Sequence, residues 1–232
     1  MNEERIDSLE RYLQLLETIE QTEVVLFRGQ REKKDLLPKI ARTDPSRDTT
    51  SIEKKMLNEF RRRAPMLLAN ADQLDDWDLL VHAQHFGMST RLLDWTQNPL
   101  VALWFACGGT GDAEPFFVYS FRPPRDSFMD SKLLQLGPFS QGRTRVLKPM
   151  LNNARIVAQE GWFTVHRYSA KALRYVPLNV NTKLHDHLTC FEFPGSLRKP
   201  IMQKLSRLGV NHQTVYADMY GLCRHVSWIY GF

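Results

Sequence analysis

The residues best suited to chemistry lie in one unbroken stretch, Val81 to Cys107, which reads VHAQHFGMSTRLLDWTQNPLVALWFAC. It holds two histidines, a glutamine, a Ser89-Thr90-Arg91 step and Asp94 beside Trp95. Arg91 and Asp94 are three apart among Leu92, Leu93 and Trp95, so both charges are expected to be carried toward an apolar interior as a mutually bonded pair. Charges buried that way must be paired or must serve a ligand. A second stretch, Val24-Val25-Leu26-Phe27-Arg28-Gly29-Gln30, reads as a short buried strand with Arg28 at its end. Gly29 lacks a Cβ and lets a ligand or another backbone come close. An arginine so placed can hold an anion or make a structural salt bridge.

Further candidates lie outside these stretches. Arg155 and Gln159 are four apart in ARIVAQEGWFTV, at the end of a short helix that leads into a strand. Gln159 can tie down backbone groups or read an amide or base edge. Glu160, Glu192 and Asp218 are the late acids placed near strand ends, and Asp218 is also a natural helix cap. His82 and His85 share a helical face with Gln84 between them, but no third ligand follows at metal spacing, so no zinc site is expected. Cys107 sits in an apolar helix without a nearby histidine and reads as core rather than nucleophile.

The elements that must position these groups follow from periodicity. Ile6, Leu9, Leu13, Leu16 and Ile19 keep helical spacing and predict an amphipathic helix over 3–20. Residues 31–50, with Pro38 and Pro45, read as a long surface loop able to cover Arg28. Helices are predicted from a Ser51 cap to the Arg61-Arg62-Arg63 run, from a cap at Asp72 or Asp75 to Gly87, from Pro99, from Leu197 to Leu208, and after Asp218. Strands are predicted over 115–121, 161–166, 188–193 and 214–216. Helices cluster early and strands are widely interrupted, which argues for an α+β fold and against regular βαβ winding. No phosphate-loop pattern, dinucleotide glycine fingerprint or serine elbow is present.

The 232 residues, 43% of them hydrophobic, are evenly spread without a linker, so a single domain over 1–232 is expected. The net charge of +5 is unevenly distributed. Residues 1–27 hold two basic and seven acidic groups, 28–65 twelve and six, 66–121 one and seven, and 122–175 ten and three. Such blocks can match one another in the fold or present a surface to nucleic acid. Three cysteines without paired spacing, all with apolar neighbours, suggest buried thiols in a reducing compartment. With no apolar leader and no long apolar run, a soluble cytoplasmic protein without membrane contact is expected.

LFRGQ at 26–30, HAQHFGMSTRLLDWTQNPLVALWFA at 82–106, ARIVAQEGWFTV at 154–165 and TVYADMYGL at 214–222 resemble, in order, the motifs of the FRG domain family. The family usually places a proline where this chain has Ala217. An aromatic-Arg-Gly strand followed by a Ser-Thr step is also similar to ADP-ribosyltransferases of the Arg-Ser-Glu type. That resemblance implies a mixed or antiparallel sheet core of ADP-ribosyltransferase-like type behind an N-terminal helical portion. It implies NAD as cofactor, with Arg28 on its phosphate or ribose, Gly29 on its nicotinamide amide, and Ser89 and Thr90 bracing the site; Arg91 departs from the third serine of the Ser-Thr-Ser motif, and Arg91 and Gln159 are further candidate binding residues. The late Glu/Gln-x-Glu turn of those enzymes is missing, which leaves Asp218, Asp94 and Glu160 as candidate catalytic acids. The reading implied is transfer of ADP-ribose to a macromolecular acceptor, with nucleic acid one candidate. Family context adds a bacterial toxin or phage-defence role with an antitoxin or other protein partner. The alternative is a non-enzymatic module binding nucleic acid or protein.

Overall fold

Strand-forming residues are dispersed along this chain, and the sheet they build gathers them out of sequence order. The computed structural model describes residues 1–20, 24–68, 71–108, 114–150 and 154–232, without the side chain of Asp72, so a cap at that residue lies outside the described atoms. In chain order the elements are β1 (Asn2–Arg5), α1 (Leu9–Glu17), β2 (Leu26–Gln30), α2 (Thr50–Arg63), α3 (Asp76–His85), β3 (Leu92–Thr96), α4 (Pro99–Cys107), β4 (Phe116–Phe121) and α5 (Ser131–Gln135). Then come β5 (Arg145–Leu147), α6 (Ala154–Ala158), β6 (Gly161–Val165), β7 (Tyr168–Ser169), β8 (Arg174–Tyr175), β9 (Leu188–Phe193), α7 (Arg198–Arg207), α8 (His212–Tyr216) and α9 (Met219–Ile229).

The fold is α+β, with a mixed sheet in the order β1-β9-β4-β2-β3-β6-β5 and a separate β7-β8 pair. Only β1 runs parallel to its neighbour; the other ladders are antiparallel. Alternation along the strands sends Phe27, Phe116 and Val118 into a core with α4, and Leu26, Leu93, Trp95 and Tyr119 into a second core. Because α4 is apolar on nearly every side, it is buried on most of its surface. Pro99 occupies its first turn, and Asn98 Oδ1 accepts from the Leu100 and Val101 N–H groups at 3.0 and 3.2 Å, a cap worth about 1 kcal/mol.

Several expectations need correcting. The helix expected over 3–20 begins only at Leu9, because Ser8 caps it and the preceding residues find the open edge of β9. The helix α2 begins at Thr50, ahead of the expected Ser51 cap. Arg28 is in the middle of β2 rather than at its end, since pairing with β4 runs on to Gln30 opposite Phe117. Residues 214–216 are helical, although Thr, Val and Tyr favour strands. The reciprocal capping box of Asn211 and Thr214 starts a helix there, so local hydrogen bonds override propensity. That helix ends in a left-handed Ala217 at φ 50°, a conformation that proline, with φ near −65°, cannot adopt. Cys107 and Cys190 are buried, whereas Cys223 is exposed on α9, contrary to expectation. The charge blocks do meet in part, through Lys33 with Glu3 and Arg61 with Asp76. Among the described residues, no helix is long and apolar enough to cross a membrane.

Candidate functional site

The sheet is parted between β2 and β3. These strands share a single register pair, Phe27 with Thr96, whereas β2 matches β4, and β3 matches β6, over five residues each. Main-chain groups beyond such a parting must be met by side chains, by water or by a ligand. Arg28 does part of this, its Nη1 donating to the Asp94 carbonyl oxygen at 2.7 Å. A cleft of about 740 Å³ opens at the same place.

Arg28 is mostly buried, with its side chain 14% exposed. Its charge is met only loosely, the Asp94 carboxylate standing 3.7 Å from Nη1, while Nε has no partner. Burial pulls the guanidinium down to about 10; Asp94 opposes that shift and Arg42 adds to it. Arg31, Lys34 and Arg42 from the 31–50 loop also line the cleft, so the loop covers Arg28 as expected. Arg155 faces them.

Asp94 is half exposed rather than interior, which corrects the buried pair expected with Arg91. On a helix a three-residue spacing brings side chains together, but here Asp94 lies on a strand and Arg91 directly precedes it, so the two point apart. Arg91 instead turns inward to Glu53: its N–H and Nε donate to the carboxylate at 2.6 and 2.8 Å, and Phe139 covers the guanidinium at 4.5 Å. Burial pushes the Glu53 carboxyl up, and the Arg91 charge opposes this.

The Asp94 carboxylate is held by Gln84, whose Nε2 donates to both oxygens at 3.1 Å. Gln84 Oε1 in turn accepts from the buried Thr90 hydroxyl at 2.7 Å. The Ser-Thr step therefore braces the site through Thr90, while Ser89 does not line the cleft. Sequence reasoning placed Gln84 between two histidines and gave it no role. Its partner lies on another element, and only the meeting of α3 with β3 reveals it. His85, one helix position on, lines the cleft, and burial, then Arg155 and His82, push it down to about 4. His82 is buried and likewise lowered by burial. Among the described residues no group of His, Cys, Asp and Glu could hold a metal ion.

The two late motifs converge on the opposite wall. Gln159 Nε2 donates to the Val215 carbonyl at 3.1 Å, tying down backbone, and its own carbonyl accepts from Thr96. Arg155 packs over the Tyr216 ring at 4.8 Å and pairs with Asp218. Burial would raise the Asp218 carboxyl, but hydrogen bonds from the Gly221 N–H and Arg155 outweigh it and hold the group below its ordinary range. Asp218 caps α9 as expected and reaches the cleft only through Arg155. Glu160, in a left-handed turn at φ 46°, is exposed and does not line the cleft.

Residues 23–114 match the family model of the FRG domain. That match supports the resemblance to the FRG domain family over those residues. No curated protein and no solved structure matched it. Each residue of the FRG signature has a distinct position in the parted sheet. Phe27 is core and makes the one β2–β3 pair. Arg28 spans the parting. Gly29 packs on α4, where a Cβ would stand 1.9 Å from the Ala102 oxygen, so its missing side chain admits another backbone rather than a ligand.

Proposed function

We propose that this chain binds NAD in the cleft between β2 and β3 and transfers ADP-ribose to a macromolecular acceptor. The observation that carries the reading is Arg28, a buried, incompletely served cation in an open ladder, ringed by Arg31, Lys34, Arg42 and Arg155. Such donors fit a pyrophosphate, because charge-assisted bonds to phosphate oxygens are strong and directional. The cleft volume suits a ligand of this size, and Phe105 and Tyr216 offer apolar wall to its rings.

Transfer breaks the bond from ribose C1′ to the nicotinamide nitrogen, which leaves with the electron pair, and an acceptor nucleophile takes its place and gives up a proton. Positive charge develops at the ribose. A fixed carboxylate facing it lowers the barrier. Glu32, Asp35 and Asp94 all line the cleft; Asp94, held by Gln84 and Arg28, is assigned this role. Asp218 is a positioning residue that sets Arg155. Glu160 has no part. The test is labelled-NAD transfer to cellular RNA, DNA and protein, with calorimetry of NAD binding. Asp94→Asn is expected to bind NAD but slow transfer by about 10²–10³, as for loss of one stabilising group in an active site. Absence of any NAD heat from folded wild type would sink the proposal.

The non-enzymatic alternative, a protein-binding module, is favoured by α9, where Met219, Tyr220, Ile229 and Tyr230 stand exposed. Absence of labelling together with capture of a protein that protects α9 would favour it.

A further inference from the structure

A second groove, of about 620 Å³, shares no lining residue with the first. Its cations come from four separate segments: Arg143 ahead of β5, Arg167 after β6, Lys171 in the β7–β8 turn and Lys183 ahead of β9. Among the described residues the one acid in its wall, Asp126, is taken by Arg143 at 2.8 Å and held below its ordinary range by that bond. Arg167, Lys171 and Lys183 make no ion pair among the described residues. Hydroxyls such as those of Ser169 and Thr182 lie between the cations. Three of these four cations, Arg143, Arg167 and Lys171, come from the basic block 122–175.

We infer that this groove binds the sugar-phosphate backbone of a nucleic acid duplex without reading its sequence. Lys, Arg and hydroxyl side chains are the groups that contact phosphate oxygens. No aromatic residue lines the groove, so it offers no platform for an unpaired base or the base of a free nucleotide. A duplex keeps its bases stacked inside and presents only the charged backbone, which such a wall suits. The inference does not rest on NAD binding in the other cleft.

The experiment is fluorescence anisotropy of a mixed-sequence DNA duplex with the full chain across a salt series, using wild type and the Lys171→Gln/Lys183→Gln double variant. Both lysines are exposed on loops, and matched melting curves establish that the variant is folded. Wild type should bind at low salt, and the variant should lose about two from the slope of log K against log salt, at about 0.9 per phosphate contact. Excess NAD should leave the duplex bound. Absence of wild-type binding, an unchanged slope in the folded variant, or displacement of the duplex by NAD would each overturn the inference. A mononucleotide binding as tightly as the duplex would also overturn it.

Discussion

Arg91 and Arg28 are both buried arginines beside β3, yet the protein treats them differently. Arg91, 1% exposed, meets the Glu53 carboxylate through two donors, gives a third bond to the Pro138 carbonyl at 3.3 Å, and lies under Phe139. Arg28 receives one carbonyl and a distant, half-exposed carboxylate. A guanidinium enclosed by its own chain holds structure together. Each keeps one donor without a partner, Arg91 Nη2 and Arg28 Nε, but only Arg28 lines the cleft, where an anionic ligand can reach it.

The sharpest way to break this comparison is at Glu53. Glu53→Ala strands the Arg91 charge and is expected to cost roughly 3–5 kcal/mol in urea unfolding. A loss below 1 kcal/mol, on the order of an exposed pair, would mean that Arg91 is not sealed. Next is Gly29→Ala, which drives a methyl into the α4 backbone and should cost about 1–3 kcal/mol by overpacking. Unchanged stability there would restore the glycine as a place for ligand approach.

Arg28→Met should do the reverse of Glu53→Ala. Removing a half-served buried charge should leave stability level or slightly higher, while NAD affinity falls about ten- to a hundredfold, the equivalent of one charge-assisted bond. Calorimetry beside thermal melting reads both effects. A large melting loss with intact NAD binding would make Arg28 another Arg91. For Asp94→Asn the stability change should stay within about 0.5 kcal/mol, because the side chain is half exposed and an amide oxygen can still accept from Gln84.

A further contrast lies in pH dependence. His85, pushed from 6.5 to about 4, takes its proton more readily in the unfolded chain than in the cleft. Its contribution to stability is therefore complete above pH 6.5 and lost as pH falls toward 4. His166, buried and held down to about 3 chiefly by burial, adds a loss in the same direction. His85→Gln should flatten the fall of unfolding free energy between pH 6.5 and 4, and an unchanged slope would show that the ring is charged in the fold.

Much was legible in order along the chain. The apolar periods and caps placed α3, α4, α7, β4, β6 and β9 close to their observed bounds, because those signals are local: a proline in the first turn, an aspartate before a helix, a run of aromatic and β-branched residues. The Arg28 strand and the cap at Asp218 could be named from residue type, and the Thr90 brace from the resemblance. Their partners could not. A spacing of three means a pair on a helix and opposed faces on a strand, so the pair expected of Arg91 and Asp94 does not form where β3 is a strand. Gln84 with Asp94, Glu53 with Arg91 and Arg155 with Asp218 join segments that only the packing of helices on the parted sheet brings together. The sequence determined which groups could carry charge and where helices and strands would start. Tertiary structure decided which charges were sealed and which were left open, because partnership and desolvation depend on elements far apart in the chain.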